Sequence, residues 1–540
     1  MRAGQATGPR YVELVEGHRK HFPTVSARSM GSLWKVIAAV KEALSEVDFR
    51  RPMISGIKGD DTPKRILGNV GQDLRGVVSR LTMRFEGMPN WGSQQMQKNL
   101  MPPTTSVSVA AALLAALFNP DICSTEFSGE RIAEAEKKTV KELCELIGFK
   151  QPNAFGFFTY GGTSGINLGI LLGLENAYPG RHVKGQEGGA RILCSNVAHF
   201  SVRDAAGRLG VGASNVVQVK TDEMGEMFLK DLDIQARMIL ERDKEARRML
   251  QEHPDAAVRR EKISTVVATM GTTDTFGLDD IHGIHSLIGN WQKDYKLDYP
   301  ITLLADSVVG WAWSFFIDYD FTLNPLQFKR ETLDALEKIV DKVKYLHLAD
   351  VVTANIHKYG YVMIPGSYVL VAGGARKLSR IKRGAHEMPQ LYRVGSDHPG
   401  AYSSETTRYA GGVLATMANM SLFGKEGYQA MLGRITEMGL YFRHKLAMVE
   451  GIEVVNSKGL GGGTLFYPRV SGALREQNQS TNMLSEDLEG LPDEVFVSTT
   501  TLPNGRIMVK SMIMSPFTTE DHMDRAVESI AKAVGMAFPK

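Results

Sequence analysis

Residues 264–306 read STVVATM, then GTTDTFGLDDIHGIHSLIGNWQKDYKLDYP, then ITLLAD. Two short apolar runs flank a helical stretch, and each ends in a polar group. Gly271, Thr272 and Thr273 follow the first, and Asp306 closes the second. Strands that are apolar on both faces and alternate with helices predict a mostly parallel α/β sheet. Three further runs extend the pattern: AFGFFTY (154–160) before Gly161, RILCSN (191–196), and VVTANI (351–356) leading into His357 and Lys358.

The flanking regions read differently. Ser32 to Val47 has helical periodicity, and Pro102-Pro103 breaks the chain before an apolar helix at 107–118. Ser128 to Ile147 and the highly charged stretch Asp231 to His253 read as helices. Beyond 400, 411–450 reads as long helices. GIEVVN (451–456), TLFYPRV (464–470) and RIMVKSMIM (506–514) read as half-exposed strands. Thr518 and Asp521 form a capping box for the last helix, and GLGGG (459–463) reads as a flexible turn. The expected division is an N-terminal helical segment (1–103), a large α/β domain (104–400) and a small α+β domain (401–540).

Composition narrows the function classes. The 540 residues are 43% hydrophobic and 23% charged, with formal net charge +3 and no clustered basic block, so nucleic acid is not expected as a partner. Cys123, Cys144 and Cys194 lie far apart, which excludes a disulfide scaffold or a zinc cage and fits a reducing compartment. The first residues lack an apolar secretory core, and 107–118 is too short to span a bilayer. The expectation is a cytoplasmic protein with no membrane partner and no metal.

Ligands of open α/β sheets bind at the carboxyl ends of strands. Those ends carry Gly161–Gly165 running into a helix, His199, Thr272-Thr273, Asp306, and Asn355, His357 and Lys358. A glycine turn at a helix start offers free N–H groups to an anion, though many such turns are only tight turns. It lacks dinucleotide or P-loop spacing. A lone histidine is more often a satisfied core residue, and a lone lysine more often snorkels to water. Together, an anion cradle, an imidazole, one desolvated carboxylate and one lysine between apolar runs fit pyridoxal 5′-phosphate, which needs each of them.

The chain also resembles the group II pyridoxal-phosphate-dependent amino-acid decarboxylases, relatives of glutamate and aromatic-amino-acid decarboxylase. The resemblance rests on TYGGTSGIN (159–167), SNVAHFSVRDAA (195–206), ATMGTTDTFGLDDI (268–281), LLAD (303–306), ADVVTANIHKYG (349–360) and SMIMSPFTTEDHMD (511–524), in the family's order over roughly residues 80–535. It implies a fold-type-I enzyme with a seven-stranded sheet. It implies that Lys358 forms a Schiff base with the cofactor, that Asp306 pairs with its ring nitrogen and that His199 stacks on its ring. Gly162, Thr163 and Ser164 would hold the phosphate with Asn355 and His357, and Thr273 would approach the ring's polar edge. Tyr392, on a loop after the lysine, would protonate the product, with Tyr402 as runner-up. Trp91 and Gln94 would line the substrate side.

The resemblance further implies a homodimer with the active site at the interface, Thr407-Arg408 approaching the partner's phosphate. Arg84 and Arg408 are the arginines considered for a distal substrate carboxylate. Val308 departs from the family's usual alanine, and an aromatic, charged stretch around Phe315 to Lys344 lengthens the interval between Asp306 and Lys358. The expected activity is decarboxylation of an L-amino acid to amine and CO2. A carbon–carbon lyase of the sphingosine-phosphate-lyase type and a decarboxylation-dependent amine oxidase are the alternatives.

Overall fold

The computed structural model describes residues 8–19, 91–98, 101–150, 154–186, 188–382, 398–489 and 495–537. The helix expected at 32–47, Arg84 and Tyr392 lie outside the described residues.

Helix α1 (Arg10–His18) is followed by α2 (Ser106–Phe118) and α3 (Glu130–Leu146). The large domain then alternates: β1 (Ala154–Thr159), α4 (Gly162–Ala177), β2 (Gly189–Ser195), α5 (Ser201–Arg208), β3 (Val216–Val219), α6 (Leu229–Glu252), β4 (Glu261–Thr269), α7 (Ile281–Asp294), β5 (Thr302–Asp306), α8 (Arg330–Val343), β6 (Val351–Asn355) and β7 (Ser367–Ala372). All seven strands form one sheet in the order β1-β7-β6-β5-β4-β2-β3. Only β7 runs against the rest, pairing antiparallel with both β1 and β6. Six strands therefore present their carboxyl ends along one edge, five of them the apolar runs of the sequence. The register aligns Thr269 with Asp306, Asp306 with Thr353, and Asn355 with Ser367.

Helix α4 lies flush on that sheet because of a glycine at every fourth position. A Cβ on Gly165 would stand 2.7 Å from Thr353 Cγ2 of β6, and one on Gly169 2.7 Å from Leu304 Cδ1 of β5; on Gly173 it would run into Thr265 of β4. Residues four apart share a helix face, so one glycine stripe brings the helix down across three strands. Gly169→Val is expected to destabilise the fold by about 1–3 kcal/mol through overpacking, read as a lower urea midpoint. Gly289→Ala in α7, where a Cβ meets nothing within 4 Å, should not lower it.

The second body begins with α9 (Gly411–Leu446), which is broken at Gly424 (φ 57°). A four-stranded antiparallel sheet follows, ordered β10-β11-β9-β8, from β8 (Ile452–Val454), β9 (Gly463–Pro468), β10 (Ser498–Thr501) and β11 (Ile507–Met512). Helices α10 (Leu474–Glu489) and α11 (Glu520–Ala537) complete it, sharing a core of Met438, Phe442, Leu484, Val509 and Ile530. The cap of α11 sits one residue later than the sequence predicts. Thr519 precedes the helix and the His522 ring reaches back, Nδ1 accepting from the Thr519 amide at 3.1 Å. Among the described residues no helix is long and apolar enough to cross a membrane.

The aromatic stretch after Asp306 builds core. A 3-10 turn over Gly310–Phe316 buries Trp311, Trp313, Phe315 and Phe316, and Trp311 Nε1 donates to the Asn355 carbonyl at 3.1 Å. That bond braces the end of β6, from which Lys358 projects.

Candidate active site

The sheet edge gathers most of the residues singled out from the sequence. Asp306 ends β5 and is 2% exposed. Thr353 Oγ1 donates to its Oδ1 at 3.2 Å and the Val308 amide also donates to it. Burial pushes this carboxyl above its ordinary value, while the charges of Lys358 and His199 favour the ionised form. It is thus a carboxylate held out of water for a cationic partner.

Lys358 stands in the tight turn after β6, its amide donating to the Asn355 carbonyl at 3.2 Å. Burial lowers its amine to about 8; Asp306 raises it and Lys510 lowers it further. At neutral pH about a tenth of such amines are unprotonated, against less than a thousandth at the ordinary value. The unprotonated form is the nucleophile, so capture of an aldehyde by this lysine should accelerate as pH rises to about 8 and then level off. Lys510→Met should move that midpoint upward and Asp306→Asn downward, measured as the rate of cofactor uptake against pH.

His199 follows β2. Its ring is half-buried, with Nδ1 2.7 Å from Ser201 Oγ and accepting the Ser201 amide at 3.3 Å. Burial lowers its pKa, so the ring is a flat, neutral surface whose tilt Ser201 fixes.

The glycine turn opens α4. A Cβ on Gly162 would stand 2.6 Å from Val308 Cγ1 and 3.0 Å from Asn355 Oδ1, so Asn355 and Val308 wall the cradle and leave no room for a side chain there. Ser367 Oγ donates to Asn355 Oδ1 at 2.8 Å, and Asn355 Nδ2 stands 3.2 Å from where a Cβ on Gly162 would be. Thr163 is exposed and Ser164 half-buried. Ser164 Oγ donates to Glu405 Oε1 at 3.4 Å, and a bound anion would displace Glu405 as the acceptor.

His357 Nδ1 lies 3.0 Å from the Gly366 carbonyl, so that nitrogen carries the proton. Burial lowers its pKa to about 4. The ring is therefore neutral, and Nε2 is left as an acceptor.

Thr273 lies in the turn after β4. Next to it, Asp274 Oδ1 pairs with Lys510 Nζ at 3.0 Å, and Thr500 Oγ1 donates to Asp274 Oδ2 at 3.0 Å. Lys510 is 5% exposed on β11, and the sequence reading missed it. Its signal was a lone lysine inside the apolar strand RIMVKSMIM.

Trp91 and Gln94 belong to a segment docked on the second body. Gln97 bonds the Phe496 backbone, its carbonyl accepts from Met512 N at 2.8 Å, and its side chain accepts from Ser511 Oγ at 2.5 Å. The segment thus reaches β11, the strand of Lys510. Tyr402 is buried edge-on against Phe155, 5.3 Å between ring centres, in a core cluster that also holds Phe157.

Arg408 is not available to a substrate. It is 1% exposed, forms an ion pair with Glu136, and donates to the carbonyls of Ile122 and Phe158. Glu136 in turn accepts the Phe158 amide at 2.8 Å. The arginine is spent on fastening α3 to β1.

A pyridoxal phosphate group fits this donor set. A lysine of lowered pKa, a buried carboxylate, a flat imidazole and a glycine cradle stand at strand ends along one edge of the sheet. Three hydroxyls at the same edge, Ser195 Oγ, Thr269 Oγ1 and Ser307 Oγ, are buried with no hydrogen-bond partner among the described residues. That capacity is unused by the protein itself.

Comparison with known proteins agrees with the geometry. No family model matches the chain. It is 31% identical over 130 residues to acidic amino acid decarboxylase GADL1 of Xenopus tropicalis, covering 24% of this chain and 25% of that protein. It is 21% identical over 267 residues to aspartate 1-decarboxylase of Aliivibrio fischeri, covering 49% of this chain and 40% of that protein. The aligned stretches thus span well under two thirds of these relatives. The fold is that of mouse CSAD (TM-score 0.69, 17% identity, 86% of this chain and 89% of that one). It is equally that of Oryza sativa TDC, solved with PLP and tryptamine (TM-score 0.70, 14% identity, 95% and 99%). These neighbours define a fold-type-I α/β architecture. Over part of its length the chain is thus similar in sequence to amino-acid decarboxylases, and over most of it the fold is that of CSAD and TDC.

Proposed function

We propose that this protein decarboxylates an L-amino acid to the corresponding amine and CO2 at the sheet edge centred on Lys358. The observation that carries the reading is the meeting of an amine lowered to about 8 with a buried carboxylate, Asp306, whose charges act on each other. Lys358 would hold the aldehyde of pyridoxal 5′-phosphate, and Asp306 would keep its ring nitrogen protonated. Gly162, Thr163, Ser164 and Asn355 would hold its phosphate. When bound, the group supplies an electron sink for the pair left behind as CO2 departs.

The chain's own residues do the rest. His199 would offer a neutral face to the bound group. Thr273 would stand on its polar side. Lys510, paired with Asp274 and close enough for its charge to act on Lys358, would supply positive charge for a substrate carboxylate. Tyr392 is proposed to deliver the proton to the α-carbon. Trp91 and Gln94 reach the substrate through the segment docked on β11. Three buried, unpaired cysteines support a reducing, cytoplasmic setting.

The test offers each standard amino acid to the reconstituted protein and follows CO2, amine and oxygen. CO2 and amine in equal amounts from one class of amino acid supports the reading. Oxygen uptake with aldehyde in place of amine would replace it with the oxidase. An aldehyde released from an amino-alcohol phosphate, with no CO2 from any amino acid, would replace it with the lyase.

We further propose a homodimer. Helix α2, SVSVAAALLAALF, is apolar all round, yet Val109, Ala110, Leu113 and Leu114 remain half-buried. Its fully buried Ala111 and Ala115 belong to the chain's own core. A helix without a polar face has to be covered on all sides. Leu113→Glu is expected to halve the mass seen by light scattering; an unchanged dimer would move the interface elsewhere.

A further inference from the structure

The loop Gly459–Gly463 reads as flexible in sequence, but in the structure one buried side chain holds it. Arg443, on α9, is 2% exposed. Its Nη1 donates to the carbonyls of Gly461 and Gly463, both at 2.8 Å, and its Nη2 to that of Gly459 at 2.5 Å. Asn456 adds a second hold, its Nδ2 donating to the Gly463 carbonyl at 2.9 Å and its Oδ1 accepting from Leu465 N at 2.8 Å.

No described carboxylate forms an ion pair with Arg443. Burial lowers its pKa to about 9, and Glu331 acts only at a distance. A buried cation without a counter-ion is costly, and an apolar side chain of that length would fill the space more cheaply. What the guanidinium gives in return is its fork, which holds three carbonyls at once.

The loop is a tight wedge. A Cβ on Gly461 would run into the Phe276 ring, one on Gly463 would stand 2.8 Å from the Asp274 carbonyl, and one on Gly462 2.7 Å from the Ile513 carbonyl. It therefore touches the turn that carries Thr273 on one side and the end of β11 on the other. Phe276 holds a left-handed backbone, φ 62°, rare for a bulky residue and kept only where the surroundings enforce it. Its ring meets Trp313 at 4.4 Å, and Trp313 meets Tyr359, next to Lys358, at 4.9 Å. Tyr359 OH closes the circuit on Met512 Sδ of β11, 3.8 Å away.

We propose that Arg443 is a positioning residue for the site. By fixing the Gly459–Gly463 wedge it sets the stand of Thr273, of the Asp274–Lys510 pair and of the aromatic wall beneath Lys358. Arg443 touches none of the reacting groups itself. This rests on the reading of the site as a pyridoxal-phosphate centre.

Two variants disturb the wedge from opposite ends. Arg443→Lys keeps the charge and loses the fork; Gly461→Ala keeps Arg443 and presses a methyl group on Phe276. Each is loaded with pyridoxal phosphate, and the absorption of the bound cofactor is titrated with pH. Both variants are expected to bind the cofactor one per chain with native circular dichroism. The titration midpoint should move by about half a unit or more, because the field of Lys510 at Lys358 changes with distance. A purely structural role would lower the melting temperature and leave the midpoint in place.

Folded, loaded variants with the wild-type midpoint overturn the inference. If Arg443→Lys does not fold, Gly461→Ala decides alone. Wild-type protein that takes up no cofactor overturns the reading of the site, and the inference with it.

Discussion

Asp306→Ala should still bind pyridoxal phosphate, yet release CO2 about 100- to 1000-fold more slowly than the wild type. The magnitude follows from the pair the carboxylate would make with a protonated ring nitrogen. At an effective dielectric near 20 and about 4 Å, that attraction is roughly 4 kcal/mol, and each ~1.4 kcal/mol is tenfold in rate. The desolvation cost of Asp306 is already met in folding, because the carboxylate is buried on Thr353 and the Val308 amide before any ligand arrives. Binding should survive because the phosphate cradle and Lys358 remain. Asp306→Asn, close in shape, should be nearly as slow, which separates charge from packing. Wild-type rates in both variants would remove the carboxylate from the chemistry.

Lys358→Ala should abolish CO2 release and the absorption band of the lysine-linked cofactor together. The side chain is the one amine among the described residues at this strand end whose lowered pKa frees it to act as a nucleophile at neutral pH. Lys358→Arg keeps the charge beside Asp306 and should be just as inactive, since a guanidinium stays protonated. Lys358→Ala should be as stable as the wild type or more so, because a cation taken out of water costs folding energy, whereas Lys358→Arg keeps that cost. The sign can be checked by pH. A lysine whose folded value lies below its unfolded value binds fewer protons when folded, so the wild type should gain stability as pH rises from about 8 to 10 and the alanine variant should lack that gain. Residual CO2 release at wild-type rates in Lys358→Ala would mean that another group carries the cofactor.

The fold and the centre of the site were legible in the sequence for one reason. In a parallel sheet the apolar runs mark the strands, and whatever follows each run stands at the ligand edge. Asp306, Asn355, Lys358 and the glycine turn were readable in that way. Two strands escaped the same reading. Val216–Val219 is only four residues with a polar member, and Ser367–Ala372 enters the sheet from the opposite direction, soon after the lysine turn.

What the sequence hid were contacts between distant segments. Nothing near Arg408 announces that Glu136, 272 residues away, consumes it. Nothing in RIMVKSMIM tells that Lys510 meets Asp274 across the two bodies. The glycines of 459–463 read as freedom because a sequence shows the missing side chains and not the Arg443 fork and the Phe276 ring that fill their place. The glycine stripe of α4 was visible but not used, since its meaning depends on which strands the helix crosses.

Lys358 is the proposed anchor of the cofactor. The protein loaded with pyridoxal phosphate, reduced with borohydride and digested, shows by mass spectrometry where the group became fixed. A single pyridoxyl-modified peptide carrying Lys358, lost in Lys358→Ala, is the predicted result. Modification scattered over surface lysines, or none at all, would contradict it.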